Sequence, residues 1–282
     1  MALLGNLTGS SHLNFQDSTD FYNGVATQSL RFEDGSSPYL NRTPAGAGNQ
    51  KTWTFSAWIK PSNVTISRSI FARHDSGSNT FLFRLDQNDD LQVENYTSGA
   101  YQLHLVTDAK FRDISAWYHV VLSLDTTQGT AANRAKLYVN GVQQTSLSAS
   151  TYPSENADLK VNAAAVHRIG ARSSNNYFDG YMAEVNFVDG TQLAPTSFGE
   201  TKNGVWIPID TSGLTFGTNG FRLDFADNAV DAPESEGTED TDNIGSDSSG
   251  EHNNWTSSGI VASDCAMPDS PENNFCTMNP LD

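Results

Sequence analysis

Two carboxyl groups held roughly 5 to 9.5 Å apart are enough to cleave a glycosidic bond. This acid-rich chain has two pairs to weigh for that role, Asp90 with Glu94 and Glu236 with Glu239. Neither lies in a Glu-x-Asp-x-x-Glu string that would aim several acids from one strand into one cleft, so hydrolysis is the remote reading. A second acidic stretch, "DTDNIGSDSSGE" at residues 240–251, follows the EF-hand spacing, with Asp240 and Asp242 at positions 1 and 3, Gly245 at 6 and Glu251 at 12. Ile244 at position 5 has no oxygen to offer and neither flank reads as a helix, which leaves Asp240 and Asp242 as poor calcium candidates. His104 and His119 each stand alone on a strand with no second histidine at a ligand spacing, so each is expected to be a satisfied or solvent-facing imidazole. The chain has no phosphate-cradling glycine loop, paired-histidine metal string, Cys-x-x-Cys or Gly-x-Ser-x-Gly elbow.

The elements around these residues are short alternating runs separated by turn residues. "WTFSAWIK" places Trp53, Phe55, Ala57 and Ile59 on one face and Trp58 on the other. "TFLFRLD" alternates Phe81, Phe83 and Leu85, and "WYHVVLSLD" alternates Tyr118, Val120, Leu122 and Leu124. In "KLYVNGVQQ" the pair Asn140-Gly141 predicts a two-residue hairpin whose central residues both take φ > 0. "LQV" and "YQLHLV" bracket a turn-rich "ENYTSGA", and "LAPTSFG" reads as one helical turn with Pro195 near its start. Runs of this kind, with almost no helical periodicity, predict an all-β protein: an antiparallel two-sheet jelly-roll sandwich over residues 29–225. Residues 1–28 read as an extended N-terminal arm and residues 226–252 as an acidic mobile loop or linker. Residues 253–282 read as an irregular C-terminal segment packed on the domain or on a neighbouring subunit.

Charge separates these parts. The chain has 33 Asp and Glu against 16 Lys and Arg, and 14 of the acids but none of the bases fall in residues 224–282. Without a basic stripe, nucleic acid is excluded as a partner. No apolar run is long enough to cross a bilayer, and the start lacks the pattern of a secretory signal, so synthesis in the cytoplasm without a leader is expected. Cys265 and Cys276 are too few for a disulfide scaffold and are expected to be reduced thiols in a cytosol.

Trp117-Tyr118-His119, the hairpin Leu137-Tyr138-Val139-Asn140-Gly141, Ile169-Gly170 and Phe178-Asp179-Gly180 form a set. Together with "SLRFEDGSSPYLNRTP" and "FSAWIKPS", this set resembles the laminin-G and pentraxin-like branch of the concanavalin A-like lectin/glucanase superfamily, over residues 28–200. The resemblance implies a concanavalin A-like sandwich and a non-enzymatic recognition module. Where relatives bind Ca²⁺ at the rim, the matching loops lie near Asn95 and Tyr96 and near Asn175, Asn176 and Asp179. Asp179 is the one acid among those residues, so no cofactor is expected, with Ca²⁺ the ion to test. The loops "ENYTSGAY" and "RSSNNYFDGY" supply Tyr96, Tyr101 and Tyr177 as stacking platforms and Asn95, Asn175 and Asn176 as amides for sugar hydroxyls.

More narrowly, "FRLDFADNA" (221–229), "DSSGEHNNW" (247–255) and the ending "NNFCTMNPLD" (273–282) are similar to segments of virion proteins of tailed phages, especially marine ones. That likeness implies a tail fibre or capsid decoration protein on the particle exterior. Its expected partners are other virion proteins, further copies of itself with a trimer favoured, and a host surface glycan. A soluble lectin module not tied to a virion is the alternative.

Overall fold

The structure, a computed structural model, describes residues 23–274 except 77, 78 and 236. Most of the expected arm, Cys276 and one member of the Glu236–Glu239 pair therefore lie outside the described residues. In chain order the strands are β1 (Leu30–Phe32), β2 (Tyr39–Arg42), β3 (Thr52–Pro61), β4 (Arg68–Ser76), β5 (Asn79–Leu85) and β6 (Asp90–Thr97). Next come β7 (Ala100–Lys110), β8 (Tyr118–Asp125), β9 (Ala135–Val139), β10 (Val142–Gln143), β11 (Leu147–Thr151) and β12 (His167–Ile169). The last are β13 (Gly180–Asp189), β14 (Gly199–Lys202), β15 (Val205–Pro208), β16 (Phe221–Leu223) and β17 (Thr256–Ser258).

They build two antiparallel sheets face to face. The back sheet runs β1-β13-β3-β8-β9-β10, with β16 also on β13, and the front sheet runs β11-β7-β6-β5-β4-β12-β2-β17. The alternation read along each strand sets which side chains meet between the sheets. Trp53, Phe55, Ala57 and Ile59 are all 0% exposed. Phe55 of β3 stacks on Phe71 of β4 with centroids 4.8 Å apart, which ties back sheet to front at the centre of the core. At the tip between β9 and β10, Asn140 and Gly141 take φ of 48° and 78°, as the hairpin signal predicts.

The outer face of the back sheet is covered. The β14–β15 hairpin lays Trp206 against Trp58, Trp117 and Ala183, and Phe198 and Phe216 cover Val121 and Val188. His119, on this face of β8, is fully buried between the rings of Trp58 and Trp206, at 4.8 and 5.8 Å.

Residues 226–252, expected as an acidic loop or linker, form a loop folded onto the sandwich, whose front sheet continues beyond residue 225. Ile244 and Trp255 enter the main core, Trp255 lies 4.8 Å from Phe221, and β17 pairs with β2 to extend the front sheet. Acidic, glycine-rich composition reads as unfolded because it offers little to bury. Here the carboxylates instead bind backbone N–H groups within the segment and on either side of it. Asp247 accepts from the N–H groups of Arg222, Ser249 and Asn253 at 2.9, 2.9 and 2.7 Å. The C-terminal segment packs on the same domain. The N–H groups of Gly24 and Val25 donate to the Glu272 carboxylate, while Asp269 takes the Trp117 indole N–H at 3.0 Å and the Lys60 ammonium at 2.7 Å.

Candidate functional site

With the back sheet covered, the outer face of the front sheet is the broad surface left for recognition. Strand register lays out its side chains. Thr256, Asn41, Arg168, Ala72, Leu82, Glu94, His104 and Thr151 face one another in turn across β17, β2, β12, β4, β5, β6, β7 and β11. Their neighbours along each strand point to the core, so this row lies on the outside.

The β6–β7 end of the face is aromatic and polar. Tyr101, 44% exposed, stacks on His104 with centroids 4.2 Å apart and planes at 9°, and Tyr96 meets Tyr101 edge-on at 5.0 Å. Beneath them the Gln92 amide donates to Nε2 of His104 at 2.8 Å and to Glu94 at 3.3 Å, and Arg84 donates twice to the Gln92 carbonyl oxygen, at 3.1 and 2.9 Å. Nε2 of His104 thus accepts, which leaves the proton on Nδ1. Burial holds the His104 imidazole below its ordinary range, and the Arg84 charge adds to this against the opposing pull of Glu94. The result is an exposed ring on a rigid base beside fixed donors and acceptors, the arrangement that stacks a sugar ring and reads its hydroxyls.

At the opposite edge, Asn41, Thr43, Ala232, Pro233, Asn254 and Thr256 help to line an open cleft of about 380 Å³.

The residues read from the sequence fall into two separate groups. Tyr96 and Tyr101 come together because "ENYTSGA" is not a loop. The β6–β7 turn is Ser98-Gly99 alone, with φ of 53° and 87°, so both tyrosines are strand residues. Asn95 is fully buried; its amide donates to Gln102 at 2.9 Å and accepts the Lys160 N–H at 2.8 Å, so it anchors a loop and faces no ligand. Asn175, Asn176 and Tyr177 lie in the β12–β13 loop against the start of β4, where Ser69 N–H donates to the Asn176 carbonyl. Register sets Ser69 level with Gln92 of β6, four residues from Tyr96, so that point lies about 13 Å away along the strands and two strands across. The two loops therefore do not form one site.

The acids expected as metal or catalytic groups are engaged otherwise. Among the described residues no cluster of three or more His, Cys, Asp or Glu is placed to hold a metal ion. Asp179 accepts from the Asn63 amide at 2.6 Å. Asp240 accepts the N–H groups of Glu234, Asp242 and Asn243 within its own loop. Asp90 and Glu94 sit four residues apart on β6, about 13 Å by strand rise, beyond the span that two-carboxylate hydrolysis uses. Lys110 pairs with Asp90 at 2.7 Å.

Residues 34–196 match a laminin G model described as concanavalin A-like lectin/glucanases superfamily, and the chain belongs to that superfamily. Among solved structures it is similar to a Bacteroides ovatus protein regarded as carbohydrate-binding, with a TM-score of 0.54 and 17% identity over 84% of this chain and 59% of that one. The chain thus spans about three fifths of that protein's length. It is also similar to the heptameric SAP-like pentraxin of Limulus polyphemus (TM-score 0.43, 14% identity, 60% of this chain and 79% of that one). Domains LG4-5 of the mouse laminin alpha1 chain give a TM-score of 0.42 and 13% identity over 77% of this chain and 54% of that one. At these identities the likeness is one of fold. No curated protein matches the chain.

Proposed function

We propose that this chain is a non-catalytic glycan-recognition module, displayed on the outside of a tailed-phage particle as a fibre or decoration protein, and that it binds sugar on the front-sheet face. The observation that carries the binding reading is the exposed Tyr101 ring, stacked on His104 and ringed by Gln92, Glu94 and Arg84 on a rigid sheet. Membership of a lectin-like superfamily supports it. The particle assignment is supported by the likeness of residues 221–229, 247–255 and 273–282 to virion proteins, and with it go other virion proteins and further copies of this chain, a trimer favoured, as partners.

A glycan array probed with the full chain, followed by titration of the best hit, tests the reading. Tyr101→Ala is expected to weaken binding tenfold or more while leaving thermal stability unchanged, since the ring is largely outside the core. A blank array, or binding indifferent to that substitution, overturns it. Immunogold labelling of particles with an antibody to the sandwich tests the location, and particles that carry no label overturn that part.

A further inference from the structure

The front face carries two arginines without carboxylate partners, in a chain where acids outnumber bases 33 to 16. Arg168 stands in the middle of the cross-sheet row, between Asn41 of β2 and Ala72 of β4. Arg172 follows on the loop leaving β12. Neither guanidinium makes an ion pair among the described residues, and Nε of each is buried with no hydrogen-bond partner. Other arginines of this protein find acids readily: Arg68 and Arg112 meet Asp89, Arg222 meets Glu184 and Arg134 meets Glu155. Two half-buried cations without an ion pair carry a desolvation cost that no carboxylate among the described residues offsets.

Their surroundings are shaped for a ligand. The Arg168 guanidinium lies over the Tyr39 ring, 5.5 Å from its centroid, which orients the planar group. Ala72 and Leu82 follow Arg168 in the same cross-sheet row but are fully buried beneath their neighbours, so they hold the row in place and do not touch a ligand. His74, next on the same face of β4, feels both charges. After burial, Arg172 and then Arg168 are the largest causes holding its imidazole below the ordinary range, with Arg73 adding to them and Asp75 opposing. Both charges thus act on His74, which shares its face of β4 with Ala72, the register partner of Arg168.

We propose that Arg168 and Arg172, with Tyr39 and His74 beside them, form an anion subsite that takes the carboxylate or sulfate of an acidic glycan. Planar forks bind either group through paired, charge-assisted hydrogen bonds. From Arg168 to His104 the row crosses four strand spacings, about 19 Å, a span suited to an oligosaccharide that stacks on Tyr101 at one end and presents its acid at the other. The proposal rests on the glycan reading of this face and specifies the ligand as an acidic polymer.

The test titrates the full chain with three oligosaccharides of matched length, polygalacturonate, sulfated dextran and neutral dextran, and with sodium sulfate alone. An acidic oligosaccharide is expected to bind at least tenfold tighter than the neutral one, and the better of the two acids identifies carboxylate or sulfate. In Arg168→Gln/Arg172→Gln that preference falls towards one. Arg168→Lys, which keeps charge but loses the fork, falls between, and covers the case in which the double variant does not fold. NMR is expected to show the His74 imidazole titrating at higher pH once the acidic ligand is bound. Equal binding of acidic and neutral chains, or a preference indifferent to the arginines, overturns the subsite, as does free sulfate binding as tightly as the polymers. If neutral dextran binds in a Tyr101-dependent way without an acidic preference, the glycan reading stands and the anion subsite falls. If no oligosaccharide binds, both fall.

Discussion

The indole N–H of Trp206 donates to Nδ1 of His119 at 2.9 Å, and Nε2 of the same imidazole meets the Ser56 hydroxyl at 2.8 Å. This arrangement fixes the neutral tautomer, with its proton on Nε2, inside the layer that covers the back sheet. Burial lowers the His119 pKa to about 3, and burial likewise lowers that of His167 to about 4. Both folded values lie below the unfolded value near 6.5, so the unfolded chain takes up these protons first. The stability contributed by each neutral ring is full above about pH 6.5 and is lost as pH falls towards its folded pKa. Replacing His119 by Asn is expected to reduce the slope of unfolding free energy against pH between 6 and 4 by one proton, about 1.4 kcal/mol per pH unit. Urea titrations at several pH values measure that slope. An unchanged slope would show that His119 titrates normally in the fold.

Gly141→Ala tests how the hairpin and the cover are joined. The residue has φ of 78°, and an added Cβ would come within 2.6 Å of the Trp206 ring. The left-handed conformation alone costs an alanine about 1–2 kcal/mol. The clash adds displacement of the indole, so a total near 3 kcal/mol is expected, accompanied by a red shift in tryptophan fluorescence. A loss of stability with unchanged fluorescence would mean that the ring does not rest on the turn.

Arg222 and Glu184 form a two-pronged pair at 2.9 and 3.0 Å, with Glu184 only 3% exposed. Burial raises the Glu184 pKa, and Arg222 opposes that rise. Arg222→Met leaves the carboxylate buried and unpaired and is expected to destabilise by about 3–5 kcal/mol. Adding Glu184→Gln should recover much of the loss. A denaturant double-mutant cycle gives the coupling, and a single-variant cost below about 1 kcal/mol would place the pair in water.

Asp247→Ala removes the acceptor that binds three backbone N–H groups from two distant stretches of chain. A loss of about 2–3 kcal/mol is expected. Hydrogen exchange should accelerate over residues 240–255 and leave the β3–β8 centre protected. Uniform exchange across both regions would contradict local anchoring.

Local pattern made the sandwich legible. Trp53, Phe55, Ala57 and Ile59 alternate because a strand presents successive side chains to opposite faces, and they form the core where that period puts them. Asn140-Gly141 marked its turn because few residue pairs accept two positive φ angles. The tight Ser98-Gly99 turn carried a fainter version of the same signal, and reading it as a loop placed Tyr96 and Tyr101 on a rim when they belong to the sheet face.

The sequence by itself determined what is local: strand periodicity, turn chemistry, charge balance and the identity of the residues able to stack or ligate. The tertiary structure decided which of them share a surface. Arg168 reaches the line of Glu94 and His104 through four interstrand pairings; three join consecutive strands, but the first, Arg168 with Ala72, joins residues far apart in the chain, and nothing in the local pattern encodes that register. The same long-range pairing separates Tyr177 from Tyr101. It also docks the acidic segment: Asp247 reads as a solvated charge until Arg222 and Asn253 bring their N–H groups to it.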